Sequence, residues 1–140
     1  MANNLSIVIL LLPLMIFCHI VDDYYLQGWL ASGKQRKWWK ENASDNFYKN
    51  DYKAALVAHA FSWSFCINFP MLAYAVYTHN LKSLLLVYLI SLILNTAIHA
   101  VVDDLKANKH EINLIADQSI HLCQILISWV VYMFVILWCE

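Results

Sequence analysis

Long stretches without charged residues alternate with short polar segments along this chain. Four such stretches cover residues 2–18, 54–81, 83–102 and 118–139. At about 1.5 Å per residue, each approaches the length needed to cross a hydrocarbon core of about 30 Å as a helix. The first stretch continues past two acids into further apolar and aromatic residues, which extends its helix. The pattern predicts an all-α integral membrane four-helix bundle, a single transmembrane domain over residues 1–140 with helices at about 5–31, 54–78, 82–106 and 113–138.

The composition excludes several classes of protein. Hydrophobic residues make up 61% of the 140-residue chain and charged residues only 14%, with two Gly and two Pro. So few charges do not suit a soluble enzyme, a disordered tail or a nucleic-acid-binding arm, and so few turn residues do not suit a β-barrel. We therefore expect membrane lipids, and no nucleic acid, as partners.

The basic residues are distributed unevenly among the connections between helices. Six of the nine Lys and Arg lie in the first connection, two in the last, and only Lys82 in the middle one. Since cytoplasmic loops are enriched in Lys and Arg, this distribution predicts a multi-pass protein with both termini outside. The first connection, 32–53, is predicted to be an amphipathic segment on the cytoplasmic headgroups, with a role in gripping substrate as the alternative.

Polar side chains recur every three to four residues on the predicted helices, which places them along one face. His-x-x-x-Asp occurs in helices 1 and 3, and the order is reversed in helix 4, which runs the other way through the membrane. Every His then lies about 6 Å, one turn, deeper than its Asp. The similar H-I-V-D-D and H-A-V-V-D-D also suggest two repeated helical hairpins. The polar faces consist of His19, Asp23 and Gln27; Asn95, His99 and Asp103; Asn113, Asp117, His121 and Gln124; and His59 of helix 2 at the same depth.

Carboxylates gathered at one depth in a membrane repel one another and are costly, so a cation should accompany them. Imidazole and carboxylate bind zinc, manganese and iron, and we expect one or two divalent ions, zinc first. A core of His–Asp hydrogen bonds without metal is the alternative. The i, i+4 spacing favours Asp23 and Asp103 over their neighbours Asp22 and Asp104. The predicted ligands are His19, Asp23, His99, Asp103, Asp117 and His121. Asp117 and His59 are expected either to complete the ligand set of a second ion or to act as general base. Gln27 and Gln118 are expected to orient the ligands.

Five ordered motifs resemble those of a known family. They are H-x-x-x-D-Y-x-L-Q (19–27), a later Lys34, the single His59, H-x-x-x-D-x-x-K (99–106) and D-Q-x-x-H (117–121). Together they resemble a family of small integral membrane proteins of bacteria and phages, distantly similar to membrane proteins described as metal-dependent hydrolases. The resemblance implies a bacterial inner membrane as the location and supports the assigned site. Tyr24, where the family has Phe, and a polar insert at 40–53 depart from the family pattern.

The preferred hypothesis for function is a membrane-embedded metal-dependent hydrolase with its site near the cytoplasmic interface. An anionic amphiphile, such as a phospholipid or a lipid-linked phosphate, would be its substrate. Two other hypotheses stay open: a metal-binding membrane protein without catalysis, such as a transporter or a phage or host effector, and a bis-His haem protein. The residues do not indicate the oligomeric state.

Overall fold

Helices make up the regular structure of the computed structural model, which describes residues 2–43 and 45–138. The prediction of an all-α fold is confirmed. In chain order the α-helices are α1 (Ala2–Val21), α2 (Leu30–Gly33), α3 (Arg36–Asn42), α4 (Asp51–Tyr77), α5 (Leu81–Asp104) and α6 (Leu114–Trp138), with π turns at Asp22–Leu26 and Leu105–Lys109 and a 3-10 turn at Asn46–Tyr48.

Four helical segments are long and apolar enough to cross a membrane. Large apolar side chains on their outer surfaces are exposed, among them Phe17 at 62%, Ile93 at 67% and Ile127 at 65%. An apolar surface of this extent is unusual on a soluble monomer, whereas in a bilayer it faces hydrocarbon. The chain is a membrane protein whose candidate spans are Ser6–Leu26, Asn46–Tyr77, Leu84–Lys109 and Leu114–Leu137.

The four long helices form a ring in which α1 and α5 each contact both α4 and α6. The half of the interior near the start of α1 is mainly apolar, and Met15, Ile67 and Met71 are fully buried there. Polar contacts also lie within it, since the Tyr132 hydroxyl donates to the side-chain oxygen of Asn68 and the Trp129 indole donates to the Val8 carbonyl at 2.8 Å. Close packing of this kind holds helices together where lipid removes the usual hydrophobic driving force.

The first predicted helix, 5–31, is interrupted in the structure. After the π turn the chain bends at Gly28, whose φ of +51° is a left-handed value that glycine adopts without steric cost, and α2 follows as one short turn. A π turn holds one residue more than an α turn. Asp22 and Asp23, adjacent in sequence, are both buried within it.

The predicted amphipathic segment 32–53 contains α3 and the 3-10 turn, and α4 begins within it at Asp51. Asp45 caps the 3-10 turn, since its carboxylate accepts the Phe47 amide at 2.9 Å. Trp38 and Trp39 pack edge-to-face on Trp29, with ring centroids 5.8 and 5.9 Å apart. The connection is therefore folded against the end of the first span.

Candidate metal centre

Each of the four long helices brings buried imidazole or carboxylate groups to one region of the bundle. Seven residues contribute these groups, and each of them is at most 7% exposed. They are His19 from α1, Asp23 from the π turn that follows it, His59 from α4, His99 and Asp103 from α5, and Asp117 and His121 from α6. Residues more than 40 positions apart in sequence thus share one site.

Two imidazoles and two carboxylates present one atom each to a common space. His59 Nε2 lies 3.2 Å from His99 Nε2 and 3.5 Å from Asp23 Oδ1. Asp103 Oδ2 lies 3.3 Å from His59 Nε2 and 3.6 Å from His99 Nε2. Ligands bound at about 2.0–2.1 Å to a tetrahedral ion are about 3.3–3.4 Å apart. We call Asp23, His59 and His99 the first ligand group; with Asp103 beside it, it has the spacing of a metal site.

A second ligand group consists of His99, Asp103 and His121. His121 Nε2 lies 3.8 Å from Asp103 Oδ1, and the rings of His99 and His121 stack with centroids 4.0 Å apart. Among the described residues, neither His121 Nε2 nor Asp103 Oδ1 has a hydrogen-bond partner. Asp103 therefore directs one oxygen toward each group.

Asp117 belongs to neither ligand group, but it lies beside His121. Its Oδ1 is 3.4 Å from His121 Nε2, while the other ring nitrogen of His121 lies 3.2 Å from Gln124 Oε1. The Gln124 amide oxygen accepts from His121 Nδ1, so the neutral ring leaves Nε2 without a hydrogen and facing the carboxylates. This arrangement orients His121 toward Asp103.

His19, a predicted ligand, lies outside both groups because both of its ring nitrogens are engaged elsewhere. The Trp63 indole donates to His19 Nδ1 at 2.8 Å, so the neutral ring carries its hydrogen on Nε2. Nε2 donates to Gln118 Oε1 at 3.1 Å. The Gln118 amide in turn donates to Asp23 at 2.8 Å and to Asp117 at 3.0 Å. His19 thus acts on the carboxylates through Gln118, and sequence spacing gave no sign of Trp63.

Gln27, the other predicted orienting amide, also contacts the first ligand group. Its amide donates to Asp23 Oδ1 at 2.7 Å. Asp23 therefore accepts from Gln27 on one oxygen and from Gln118 on the other. Two amides fix the direction of this carboxylate.

Two lysines that the sequence analysis left without a role in the site supply positive charge to it. Lys34 Nζ lies 2.6 Å from Asp103 Oδ2, and Lys106 Nζ lies 2.5 Å from Asp117 Oδ2. Lys34 is only 5% exposed. Both lysines belong to basic stretches that the positive-inside rule already explains. In the sequence, only the motifs that resemble those of a family distinguish them from the other basic residues.

Asp22, which the i, i+4 spacing disfavours as a ligand, is buried and contacts α4. Its Oδ1 accepts from the Ser62 hydroxyl at 2.7 Å and from the Cys66 thiol at 3.4 Å. Asp104 accepts from the Asn108 amide at 2.9 Å and lies 3.5 Å from Lys109 Nζ. Neither acid enters a ligand group among the described residues.

A cavity of about 350 Å³ opens beside the carboxylates. Asp23, Lys34 and Lys106 line its inner part, so it meets the cluster directly. Tyr24 and Leu114 also line it and are more than half exposed. The cavity combines cationic groups with an apolar rim.

Fold and cluster together define a helical membrane protein with buried His/Asp groups that could hold a metal ion. No protein-family model, curated protein or solved structure matches this chain. The resemblance carried by the five motifs therefore stays a prediction.

Proposed function

We propose that the protein is a membrane-embedded metal-dependent hydrolase. The observation that carries this proposal is the first ligand group, with Asp103 beside it: His59 Nε2 lies 3.2–3.5 Å from an atom of His99, Asp23 and Asp103, and His99 Nε2 lies 3.6 Å from Asp103. Ionisable side chains inside a membrane are costly and are retained where they have a function. A divalent ion held there would polarise a phosphoryl or acyl oxygen and make a water nucleophilic near neutral pH.

The charges of the site suit one divalent ion better than two. Asp23, Asp103 and Asp117 carry three negative charges when ionised, and Lys34 and Lys106 return two positive ones. One divalent ion changes the remaining charge of −1 to +1, whereas two ions would leave +3 in a low-dielectric interior. Imidazole and carboxylate ligands are typical of zinc, with manganese and iron as the other candidates.

His121 is the proposed general base. Its Nε2 has no hydrogen-bond partner among the described residues and lies 3.4 Å from Asp117 Oδ1. An imidazole held at Nδ1 by an amide oxygen can take a proton at Nε2 from an attacking water and return it to the leaving group. Asp117, expected to be a ligand or a base, then stabilises the imidazolium that forms at His121, and His59 is a ligand.

The cavity favours an anionic amphiphile as substrate. Lys34 and Lys106 line it and can bind a phosphate, while Tyr24 and Leu114 give the rim an apolar surface for an acyl or prenyl chain. A lipid phosphate or a lipid-linked phosphate meets both requirements. We further propose that this end of the bundle faces the cytoplasm of a bacterial inner membrane, since the basic connections flank it.

The apolar half of the interior supports hydrolysis rather than conduction by a single chain. Met15, Ile67 and Met71 are fully buried there, and they belong to an apolar core that also includes Val8 and Leu11. Bis-His haem ligation is not favoured either, because the rings of His99 and His121 stack at 4.0 Å without room for a macrocycle between them.

The metal site is tested by elemental analysis of the detergent-purified protein. We expect about one zinc, manganese or iron per chain in the natural protein and less than a tenth of that in Asp103→Asn. Asp104→Asn is the matched control, because this neighbouring acid contacts Lys109 and Asn108 instead. A natural protein that contains no metal when purified without chelator would show that the cluster is a hydrogen-bonded core, and equal metal in both variants, with helical circular dichroism intact, would place the ion outside the ligand groups.

Hydrolysis is tested separately, by phosphate release from phosphatidic acid in mixed micelles. We expect His121→Ala to lower kcat by about 100-fold or more, because a general base contributes about 10²–10⁴-fold, while its metal content stays near that of the natural protein. If the metal-loaded natural protein releases neither phosphate nor an acyl chain from lipid, the hydrolase proposal is wrong and the protein binds a metal without catalysis.

A further inference from the structure

The lysines and arginines of the chain divide into two sets. Four of the nine pair with carboxylates: Lys34, Lys37, Lys106 and Lys109. The other five are Arg36, Lys40, Lys49, Lys53 and Lys82, and none of them has a carboxylate within 4.0 Å among the described residues. Four of these five, all except Lys82, line a single cavity of about 450 Å³. Cations that gather without carboxylate partners indicate a place for an anion.

This cavity, which we call the basic pocket, is formed by α3, the 3-10 turn and the start of α4. Arg36 is fixed in it, since its guanidinium donates to the Tyr52 hydroxyl at 2.6 Å and lies 4.8 Å from the centre of the Tyr52 ring. Lys53 lies 5.9 Å from the same ring. The acid in the lining, Asp45, accepts the Phe47 amide as a cap. The pocket therefore keeps a net positive charge.

The aromatic residues around the basic pocket place it at headgroup depth. Trp39 lines it and stacks on Tyr48, with ring centroids 6.4 Å apart. Its indole is held by a 2.7 Å hydrogen bond to the Gly33 carbonyl. Phe47 and Trp29 nearby are 82% and 53% exposed. Trp and Tyr concentrate at the membrane–water interface, where lipid phosphates lie.

We propose that the basic pocket binds the phosphodiester headgroup of an anionic membrane lipid. Its volume lies in the range of small-molecule sites, and it shares no lining residue with the cavity beside the metal centre. The bound lipid is therefore distinct from the proposed substrate. Its role is to hold the first connection against the membrane, since each basic residue near an anionic surface adds to the attraction.

The test is titration of the detergent-solubilised full chain with short-chain phosphatidylglycerol, followed by native mass spectrometry. Binding is read from the mass of the intact bound lipid, so turnover does not enter the measurement. We expect Lys40→Gln/Lys49→Gln to weaken binding about 25-fold, at about fivefold for each charge removed. Lys37→Gln/Lys82→Gln removes the same charge outside the basic pocket and should weaken binding less than about threefold. Metal content should be unchanged in both, which separates this proposal from the hydrolase.

Two further arms identify the source of the phosphate. Short-chain phosphatidylcholine, whose headgroup is neutral overall, should bind at least about tenfold more weakly than phosphatidylglycerol. Inorganic phosphate at the same concentration should not displace the lipid. Equal weakening in the two double variants, equal binding of both lipids, or full displacement by inorganic phosphate would each overturn the lipid assignment.

Discussion

A lysine enclosed in a membrane bundle needs a partner, and Lys34 has Asp103. The 2.6 Å pair is almost fully buried, with side-chain exposures of 7% and 0%. Removing one partner of a buried ion pair leaves the other charge uncompensated, which costs about 3–5 kcal/mol. We expect Lys34→Met to lower the free energy of unfolding by that amount in chelator-treated protein, measured by chemical denaturation in detergent.

Lys37→Met is the control for this measurement. Lys37 lies 3.8 Å from Glu41 with exposures of 80% and 60%, and exposed pairs contribute about 1 kcal/mol or less. A loss at Lys34 no larger than the loss at Lys37 would contradict the idea that Lys34 neutralises the site.

Single-helix spacing predicts which residues share a face, but not which atoms meet between helices. The spacing placed His99 with Asp103 and His121 with Asp117, and these pairs do lie in the cluster, 3.6 and 3.4 Å apart. It could not show that Trp63, on another helix, donates to His19 and so turns that ring away from the ligand groups. The contact of Lys34 with Asp103 could not be predicted for the same reason, since the two residues are 69 positions apart in sequence.

At the scale of the helices, the π turn after α1 links two spans through Asp22. Its carboxylate accepts the Ser62 hydroxyl of α4 at 2.7 Å, and Asp22 is 1% exposed. We expect Ser62→Ala to lower the free energy of unfolding by about 1–3 kcal/mol, because a buried acceptor loses a donor. Metal content should not change, since Asp22 lies outside both ligand groups.

Ser119→Ala provides the comparison within the same bundle. The Ser119 hydroxyl donates to the carbonyl of Ile115 in its own helix and is exposed, so the change should stay within about 0.5 kcal/mol. Similar effects in the two variants would mean that the Ser62–Asp22 contact does not hold α1 to α4.

The ends of the helices were harder to predict than their existence. Length and absence of charge sufficed for the four spans, since a membrane leaves few alternatives to a helix. The break near residue 27 was missed because a π turn leaves no mark in hydrophobic periodicity and Gly28 is a weak signal within an apolar run. This break is what lets the chain fold back and place Lys34 beside Asp103.

For the whole molecule, the polar half of the bundle and the basic pocket lie at the same end, and their orientation is open to direct test. Four spans place the connection at Asn80 opposite the one at Glu111, and both residues are exposed. Because eight of the nine basic residues flank the second side, the positive-inside rule puts Glu111 in the cytoplasm. In a cysteine-free background, we expect an impermeant maleimide to label Asn80→Cys in intact cells and Glu111→Cys only after permeabilisation. Labelling in the opposite order would place the candidate metal centre and the basic pocket at the outer surface, and substrate and anionic lipid would then have to come from the outer leaflet. Labelling of both residues in intact cells would contradict a four-span topology.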